Sequence, residues 1–432
     1  MKGQGKDGIK DAKAAEARRR FAEKERDQCA RIREAARRDY EEWLGQEAGK
    51  AKLVGSDGRP LTRLRRTSVA ATSPFGPVRV EVLKGCDESA GEWVCPAKAL
   101  LGLVKKKDVT PEAEAAVVAL AADARSYAAA ERLALRLLGF NMSDTAINDR
   151  VVEVAGDAGM PEPPLPEGRG DGIVVEADGW MARFREDGWR KDGRGRGQFA
   201  YAWHEVRSGV AYFAEDCLDV SDGRAEIVWK LPVTAFPGDG ADVPGETLHK
   251  AARHLGYRTC QRACWLSDGG KPLWSQYKMR FSRGKNHAMG ILDLYHNMQH
   301  VSAFAMDLFD GDAEKAARWA GDSKAVLKGA GGRDFLKRVE RAIRKHGKKD
   351  ESKRRRLAAA AQYFRDHRRH MNYPLATKLG FPVGSGAMES QCSQFQGRFK
   401  RTGQYWSRKG FKALIVAFIW NSVGMLNQLV AA

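Results

Sequence analysis

The sequence predicts an α/β protein in which a mostly helical N-terminal region precedes a mixed β-sheet and a helical C-terminal part. The chain has 432 residues, which is enough for two or three domains with a sizeable core. A Pro-rich stretch at residues 161–170 predicts an extended linker between domains. The spacing of apolar residues is helical before this linker, alternates after it, and is helical again from residue 294.

The charge of the chain indicates a polyanionic partner. Lys and Arg number 74 against 55 Asp and Glu, which gives a formal net charge of +19 and a pI near 9.6. This balance favours nucleic acid over an anionic membrane. Residues 1–52 lack a secretory pattern, and the most apolar run, Ala413–Trp420, is too short to span a bilayer. We therefore expect a cytoplasmic protein with no membrane partner, and the seven cysteines argue against a disulfide framework.

The first 160 residues contain an arm and an N-terminal region. Residues 1–52 are mostly charged residues and Ala, so they predict either a solvated helix or a partly disordered arm that could lie along DNA. Residues 53–160 contain one short predicted strand that ends at Leu83, and then a helical pattern. Cys86 and Cys95 are a weak zinc signal, because two cysteines without a second pair fit buried thiols better.

The helical pattern at residues 109–157 predicts a candidate DNA-binding element. One helix ends on Gly139, and a second begins after Ser143, a candidate N-cap. Two helices joined by a short Gly-containing turn resemble a helix-turn-helix, whose second helix enters a major groove. Asn148 and Arg150 are the candidate groove-contacting residues, and an ordinary helical hairpin is the alternative interpretation.

The alternating pattern of residues 171–293 predicts five strands. Glycine-rich turns join the first three into an antiparallel meander, and a helix precedes the fourth. The predicted strands are Gly172–Asp178, Gln198–Val206, Val210–Phe213, Arg262–Asp268 and Ala288–Asp293. This element order is that of a ribonuclease H-like sheet. Residues 294–380 predict a basic, all-helical insertion, and residues 381–432 predict C-terminal helices that complete the core.

Acidic residues at three points of this core predict a metal site. Asp178 and Asp268 close the first and fourth predicted strands, which lie side by side in such a sheet. Glu389 opens a helix after the Gly384–Gly386 turn. We expect the three carboxylates to converge as catalytic ligands for two Mg²⁺ ions, which prefer carboxylate oxygens and support in-line phosphoryl displacement. Mn²⁺ is expected to substitute, and Glu176 is a possible extra acid.

A second cluster and a basic segment surround these acids in the sequence. Asp293 and His296, three residues apart, can face one site, so His296 is a candidate catalytic residue and Asp293 an auxiliary acid. The alternative is that His296 packs or caps at a helix start.

The segment after Glu389 contains no further acid but many cations and aromatics. Its candidate DNA-binding residues are Arg398, Lys400, Arg401, Trp406, Arg408 and Lys409, with Tyr405 and Trp406 stacking on a base or packing in the core.

The motifs around these residues resemble those of bacterial insertion-sequence DDE transposases, in particular the ISKra group. They are Asp178-Gly-Trp, Ser267-Asp-Gly, Ile291-Leu-Asp-Leu-Tyr-His296, Gly384-Ser-Gly-Ala-Met-Glu389 and Arg398-Phe-Lys-Arg-Thr-Gly-Gln-Tyr-Trp406, and they cover roughly residues 171–425. The resemblance implies a ribonuclease H-like catalytic core, Asp178, Asp268 and Glu389 as its acidic triad, and a bacterial, nucleoid-associated location. It also implies that the protein acts on double-stranded DNA, at element ends and target, as at least a homodimer.

The sequence thus predicts a Mg²⁺-dependent DNA transposase that cleaves and joins insertion-sequence ends. Two alternatives remain open. One is a structure-selective nuclease with the same metal site and no joining step. The other is a non-catalytic DNA-binding protein derived from a transposase.

Overall fold

The computed structural model describes residues 4–103, 108–165, 167–168, 170–191, 197–198, 200–221, 224–284, 287–348 and 350–431. The chain divides into two compact units. Unit 1 comprises Met1–Asp157 together with Leu426–Ala432, and unit 2 comprises Ala158–Met425. The last residues therefore belong with the N-terminal unit, a return that the sequence did not predict.

Unit 1 consists of one long helix, a four-stranded sheet and a group of short helices. A π-helical turn, Ala134–Leu138, directly follows α4. The elements are α1 (Gln4–Gly49), β1 (Thr62–Ser73), β2 (Gly76–Asp87), β3 (Glu92–Val94), α2 (Pro96–Leu100), β4 (Asp108–Val109), α3 (Pro111–Asp123), α4 (Tyr127–Leu133), α5 (Asp144–Ala155) and α15 (Leu426–Ala431).

The sheet of unit 1 makes this unit less helical than predicted. Its strand order is β3-β2-β1-β4, and β1 and β2 form a long antiparallel hairpin where only one short strand was predicted. Val78, Val80 and Val82 alternate along β2 and are buried against Leu44 and Ala48 of α1. Strand β1 was not predicted, because Arg63, Arg65 and Arg66 interrupt its alternation of apolar and polar residues. The arm is a helix whose last turns pack on this sheet.

The predicted helix-turn-helix corresponds to α4 and α5. Ser143 caps α5 as predicted, because its hydroxyl accepts the Ala146 N–H. Arg150 does not face outward, since its side chain is only 12% exposed and pairs with Glu114 and Glu153. The prediction that Arg150 contacts a DNA groove is therefore wrong.

Unit 2 is built on a five-stranded mixed sheet with helices before and after its last strand. The elements are β5 (Gly172–Arg185), β6 (Arg190–Lys191), β7 (Gly197–Gln198), β8 (Tyr201–Phe213), β9 (Cys217–Ser221), β10 (Arg224–Ile227), β11 (Leu231–Ala235), α6 (Val243–His254), β12 (Arg262–Ser267), α7 (Lys271–Gln276), β13 (Met289–Leu292), α8 (Leu294–Leu308), α9 (Ala313–Ala330), α10 (Gly332–His346), α11 (Glu351–Asp366), α12 (Tyr373–Lys378), α13 (Gly386–Phe399) and α14 (Arg408–Ser422).

The central sheet has the strand order β11-β8-β5-β12-β13. The meander β5, β8 and β11 is antiparallel, whereas β12 runs parallel to both β5 and β13. In register, Ala177 of β5 pairs with Ser267 of β12, which also pairs with Leu292 of β13. Helix α13 packs against β5 and β8, and its Phe395 and Phe399 lie on Trp180 of β5. Among the described helices, none is both long and apolar enough to cross a membrane.

Residues 201–213 form one strand, not the two strands joined at Gly209 that the sequence predicted. Gly209 lies inside β8, opposite Ala177. A Cβ atom at this position would lie 2.8 Å from the Glu176 carbonyl oxygen and 2.8 Å from the Leu248 methyl groups of α6. The glycine therefore permits close packing of α6 on the sheet and does not mark a turn.

Replacing Gly209 with Ala is expected to lower the free energy of unfolding by about 1–3 kcal/mol, because the backbone contact cannot relax easily. Gly321→Ala in α9 is the matched control, since a Cβ there meets nothing within 4 Å and helix propensity favours Ala by up to about 1 kcal/mol. Urea unfolding of both variants measures the difference. Equal stability of Gly209→Ala and the unsubstituted protein would contradict the packing argument.

Candidate acidic active site

Three acidic residues lie side by side where the parallel strands of the sheet end. Asp178, Asp268 and Asp293 each directly follow one of the paired residues Ala177, Ser267 and Leu292. Strand β5 continues past Asp178 to pair with β8, so Asp178 does not close its strand as predicted. It lies instead at the point where β12 ends and the two strands separate. The sheet register therefore brings the three carboxylates to one edge.

The Asp178 carboxylate is half-buried among other charged groups. Its Oδ1 accepts the Gly179 N–H at 2.7 Å, and its Oδ2 lies 3.9 Å from the Cys392 thiol. The pKa of Asp178 is raised, first by burial and further by the negative charges of Asp268 and Glu389, although the Gly179 N–H and His296 oppose this rise. Asp268 and Glu389 are thus both close enough to affect the Asp178 carboxylate electrostatically.

Asp268 is held by the turn that leads into α7. Its Oδ1 accepts the Gly270 N–H at 2.8 Å, and its backbone carbonyl accepts the Trp274 indole N–H at 2.6 Å. Among the described residues, none donates a hydrogen bond to its Oδ2. The side chain is half-buried, so one oxygen is fixed by the backbone and the other is available to a ligand.

Glu389 lies in the first turn of α13, as the sequence predicted. It is exposed, and no hydrogen bond to its carboxylate occurs within the described part of the chain. One of its oxygens, a nitrogen of His296 and an oxygen of Asp293 lie within 4.8 Å of one another. This is the one group of three or more potential metal ligands in the described ranges; of the three predicted ligands it contains Glu389 but not Asp178 or Asp268, and no cysteine belongs to it.

Asp293 and His296 are joined by the start of α8. The Asp293 Oδ1 accepts the backbone N–H of His296 at 2.6 Å. The same oxygen lies 3.4 Å from Nδ1 of the His296 ring. The other oxygen accepts both the backbone N–H and the hydroxyl of Ser385, at 2.5 and 2.8 Å. Asp293 is fully buried. Both of its oxygens are therefore occupied by hydrogen bonds that fix the helix α8 and the turn before α13.

Glu176 provides the second anchor of α13. It is fully buried in β5, where its Oε1 accepts the Tyr212 hydroxyl at 2.6 Å and its Oε2 accepts the Met388 N–H at 2.8 Å. Burial raises its pKa to about 7, against the two hydrogen bonds, which lower it. Two buried carboxylates thus hold the start of α13 before Glu389: Asp293 accepts from Ser385 and Glu176 accepts from Met388.

Two predicted DNA-binding residues do not lie on the surface. Arg398 and Trp406 are 4% and 8% exposed, and the Arg398 guanidinium stacks on the Trp406 ring. The prediction that these two contact DNA is therefore wrong, and the core-packing alternative for Trp406 is correct. The other four residues remain accessible, with Lys400, Arg408 and Lys409 exposed and Arg401 half-buried.

The sequence did not predict that α11 forms a wall of the site. A Cβ added to Gly269 would lie 2.6 Å from the Tyr363 hydroxyl, so this phenol lies directly beside Asp268. Burial and the charges of Asp268 and Asp293 raise the Tyr363 pKa. His300 of α8 stacks on the Tyr363 ring at 3.7 Å between centroids. The only sequence signal for this contact was the absence of a side chain at Gly269.

Comparison with known proteins adds little to this geometry. No protein-family model and no curated protein matches the sequence. Among solved structures, the chain matches the Drosophila P element transposase strand transfer complex with a TM-score of 0.26 and 11% identity, over 76% of this chain and 82% of that chain. A similarity this weak does not determine the fold, and the resemblance to the ISKra group stays a prediction.

Proposed function

We propose that this protein is a metal-dependent DNA transposase of the DDE type. The proposal depends on one observation: Asp178 and Asp268 follow paired residues on neighbouring parallel strands, and Glu389 lies close enough to raise the Asp178 pKa. Asp178 and Asp268 thus lie at one edge of the sheet, and an oxygen of Glu389 lies within 4.8 Å of ligand atoms of Asp293 and His296, which follow the next strand. Mutual repulsion makes such an arrangement unfavourable unless cations neutralise it.

The topology of unit 2 supports a ribonuclease H-like core. The first three strands form an antiparallel meander, the fourth and fifth add in parallel next to the first, and α6 precedes the fourth strand. Helices α8 to α12 lie between the fifth strand and α13, where the helical insertion of such a core is expected. The sequence resemblance agrees with this order.

The donor atoms suit magnesium. All three predicted ligands are carboxylates with at least one oxygen that lacks a short hydrogen bond within the described residues, and hard divalent cations prefer such oxygens. Mg²⁺ held by Asp178, Asp268 and Glu389 would activate the attacking oxygen and stabilise the leaving oxygen of a phosphodiester. Both oxygens of Asp293 already accept hydrogen bonds from the start of α8 and from Ser385, so its role in this proposal is to position His296 and α13.

The remaining groups of the site act on the substrate and its surroundings. His296, which is 36% exposed and held through its backbone by Asp293, would contact the scissile phosphate. Tyr363 lies beside Asp268 and would shield that side of the site from water. The exposed cations Lys400, Arg408 and Lys409 would bind the phosphates of double-stranded DNA. Holding two DNA ends at once requires at least two copies of the chain, so we also propose a homo-oligomer on DNA.

Replacing Asp268 with Asn tests this function. With Mg²⁺ or Mn²⁺, the unsubstituted protein is expected to cleave DNA that carries the repeats flanking its coding sequence, and to join pre-cleaved ends to a plasmid. Asp268→Asn should lower both rates by at least about 10²–10³-fold, because it removes a charge at the reacting phosphate. Asp187→Asn is the matched control, since Asp187 also precedes a glycine but lies exposed in a turn.

The two alternative functions give different results in the same assay. Cleavage without joining of pre-cleaved ends would indicate the structure-selective nuclease. DNA binding without metal-dependent cleavage would indicate the non-catalytic binding protein. Cleavage that survives Asp268→Asn would contradict the metal site itself.

A further inference from the structure

Beyond the acidic site, β5 and β8 continue as a two-stranded ribbon whose outer face is aromatic and basic. In this ribbon Arg183 pairs with Trp203, and Arg185 pairs with Tyr201. The two rings are each 45% exposed, although alternate residues of the same strands, such as Phe184, are buried in the core. Large aromatic side chains that remain this exposed on one face of a ribbon indicate a binding surface.

The chain after α13 completes this face. Residues 405–406 run along the free edge of β5, where Arg185 donates its N–H to the Trp406 carbonyl at 2.8 Å and Trp406 donates to the Arg183 carbonyl at 3.0 Å. This pairing places Tyr405 beside Trp189 and Tyr201, with ring centroids 4.8 and 5.0 Å apart. The rings are therefore held by the backbone of two separate segments.

Cations alternate with the rings of this surface. The Arg183 guanidinium lies between Trp203 and Tyr405, at 5.3 and 4.7 Å from the ring centroids. Lys400 lies 5.5 Å from the Trp203 ring centroid, and Arg185 lies 5.2 Å from that of Trp189. We call these seven residues the ribbon surface: Arg183, Arg185, Trp189, Tyr201, Trp203, Lys400 and Tyr405.

Two acidic residues of the ribbon, Glu186 and Glu205, interact with partners outside the ribbon surface. Glu186 lies 2.6 Å from the His204 Nε2 and 3.6 Å from Arg408. Glu205 pairs with Arg207 at 2.8 Å. Neither acid therefore pairs with Arg183, Arg185 or Lys400, the three cations of the ribbon surface.

We propose that the ribbon surface binds unpaired DNA bases, that is, a single-stranded segment of DNA. Alternating rings and cations suit this ligand, because bases stack on the rings while phosphates contact the cations. A duplex would use the cations alone, since its bases are already stacked, and would leave Tyr201 and Trp203 exposed. The ribbon starts near the acidic site: Arg183 is five residues beyond Asp178 on the same strand, about 17 Å at roughly 3.3 Å per residue.

Binding of oligonucleotides in EDTA tests this proposal without requiring catalysis. Fluorescence anisotropy compares a labelled single strand of 12 nucleotides with a hairpin duplex of the same composition. Trp203→Ala is expected to weaken single-strand binding about 5- to 100-fold, the loss of one stacked base, and to change duplex binding less than about 2-fold. Trp203→Phe keeps a ring and should restore most of the affinity. Trp43→Ala removes a tryptophan of unit 1 that is 50% exposed and serves as the control.

Several outcomes would overturn the proposal. Unchanged single-strand binding by a folded Trp203→Ala variant would do so, as would an equal loss for the duplex. Concentration-dependent self-association that disappears in Trp203→Ala, without any binding of the single strand, would assign the surface to a second copy of the chain. Because the assay contains no metal and measures binding alone, failure here and failure of the proposed catalytic function are distinguishable.

Discussion

Replacing Glu389 with Gln is expected to reduce metal-dependent DNA cleavage and joining by at least about 10²–10³-fold, while DNA binding and stability stay unchanged. The reduction follows from losing a carboxylate oxygen near Asp178 and His296. Stability should not change, because Glu389 is exposed and its carboxylate makes no hydrogen bond within the described residues. Cleavage of labelled DNA ends, together with thermal unfolding, measures both quantities.

The adjacent residue provides the control for this prediction. Ser390 is also exposed in the first turns of α13, so Ser390→Ala reports any general effect of changing this helix. If Glu389→Gln cleaves at the normal rate, Glu389 is not a ligand. The acidic site then consists of Asp178 and Asp268, with Asp293 and His296 beside them, and the DDE assignment is lost.

Replacing Glu176 with Ala is expected to cause the largest loss of stability among the substitutions considered, about 3 kcal/mol. The change leaves two buried donors, the Tyr212 hydroxyl and the Met388 N–H, without their acceptor, and each unpaired donor costs about 1–3 kcal/mol. It also leaves a cavity, because Glu176 is fully buried. Urea unfolding measures the loss of free energy.

The conservative variant separates the anchoring role of Glu176 from simple packing. Glu176→Gln keeps an oxygen for the Met388 N–H and nearly the same volume, so it should remain close to the unsubstituted protein in stability. Hydrogen exchange of the segment 386–399 gives a second measurement: it should accelerate in Glu176→Ala and not in Glu176→Gln. Unchanged exchange in both variants would show that α13 does not depend on this buried carboxylate.

Residues with a local signal were predicted well. The Gly384–Gly386 turn predicts a helix that begins just after Gly386, and α13 begins at Gly386. Strand β12 ends directly before Asp268, and β13 directly before Asp293. In each case a few consecutive residues, either a glycine turn or a short apolar run followed by an acid, are enough to predict where the element begins or ends.

The failures come from contacts between distant segments. Gly209 has the appearance of a turn residue, but the packing of α6 requires a glycine at that place in β8. Strand β11 was missed because it contains Pro232, which an edge strand tolerates and a central strand does not. Arg398 was assigned to DNA from its charge, yet the helical period puts it on the same buried face as Gln391 and Phe395. The Glu176 anchor depends on Met388, 212 residues later, and no pattern within either segment indicates it.

The return of α15 to unit 1 has a consequence for the synthesis of the protein. Helix α15 packs on α3 and α5, with Leu426 and Leu429 buried, so unit 2 is nested within the sequence of unit 1. During translation, residues 158–425 are synthesised before the partner helix of α3 exists. The N-terminal unit can complete its core only after unit 2 has been synthesised, so a ribosome stalled before residue 426 holds an unfinished N-terminal unit in every nascent chain.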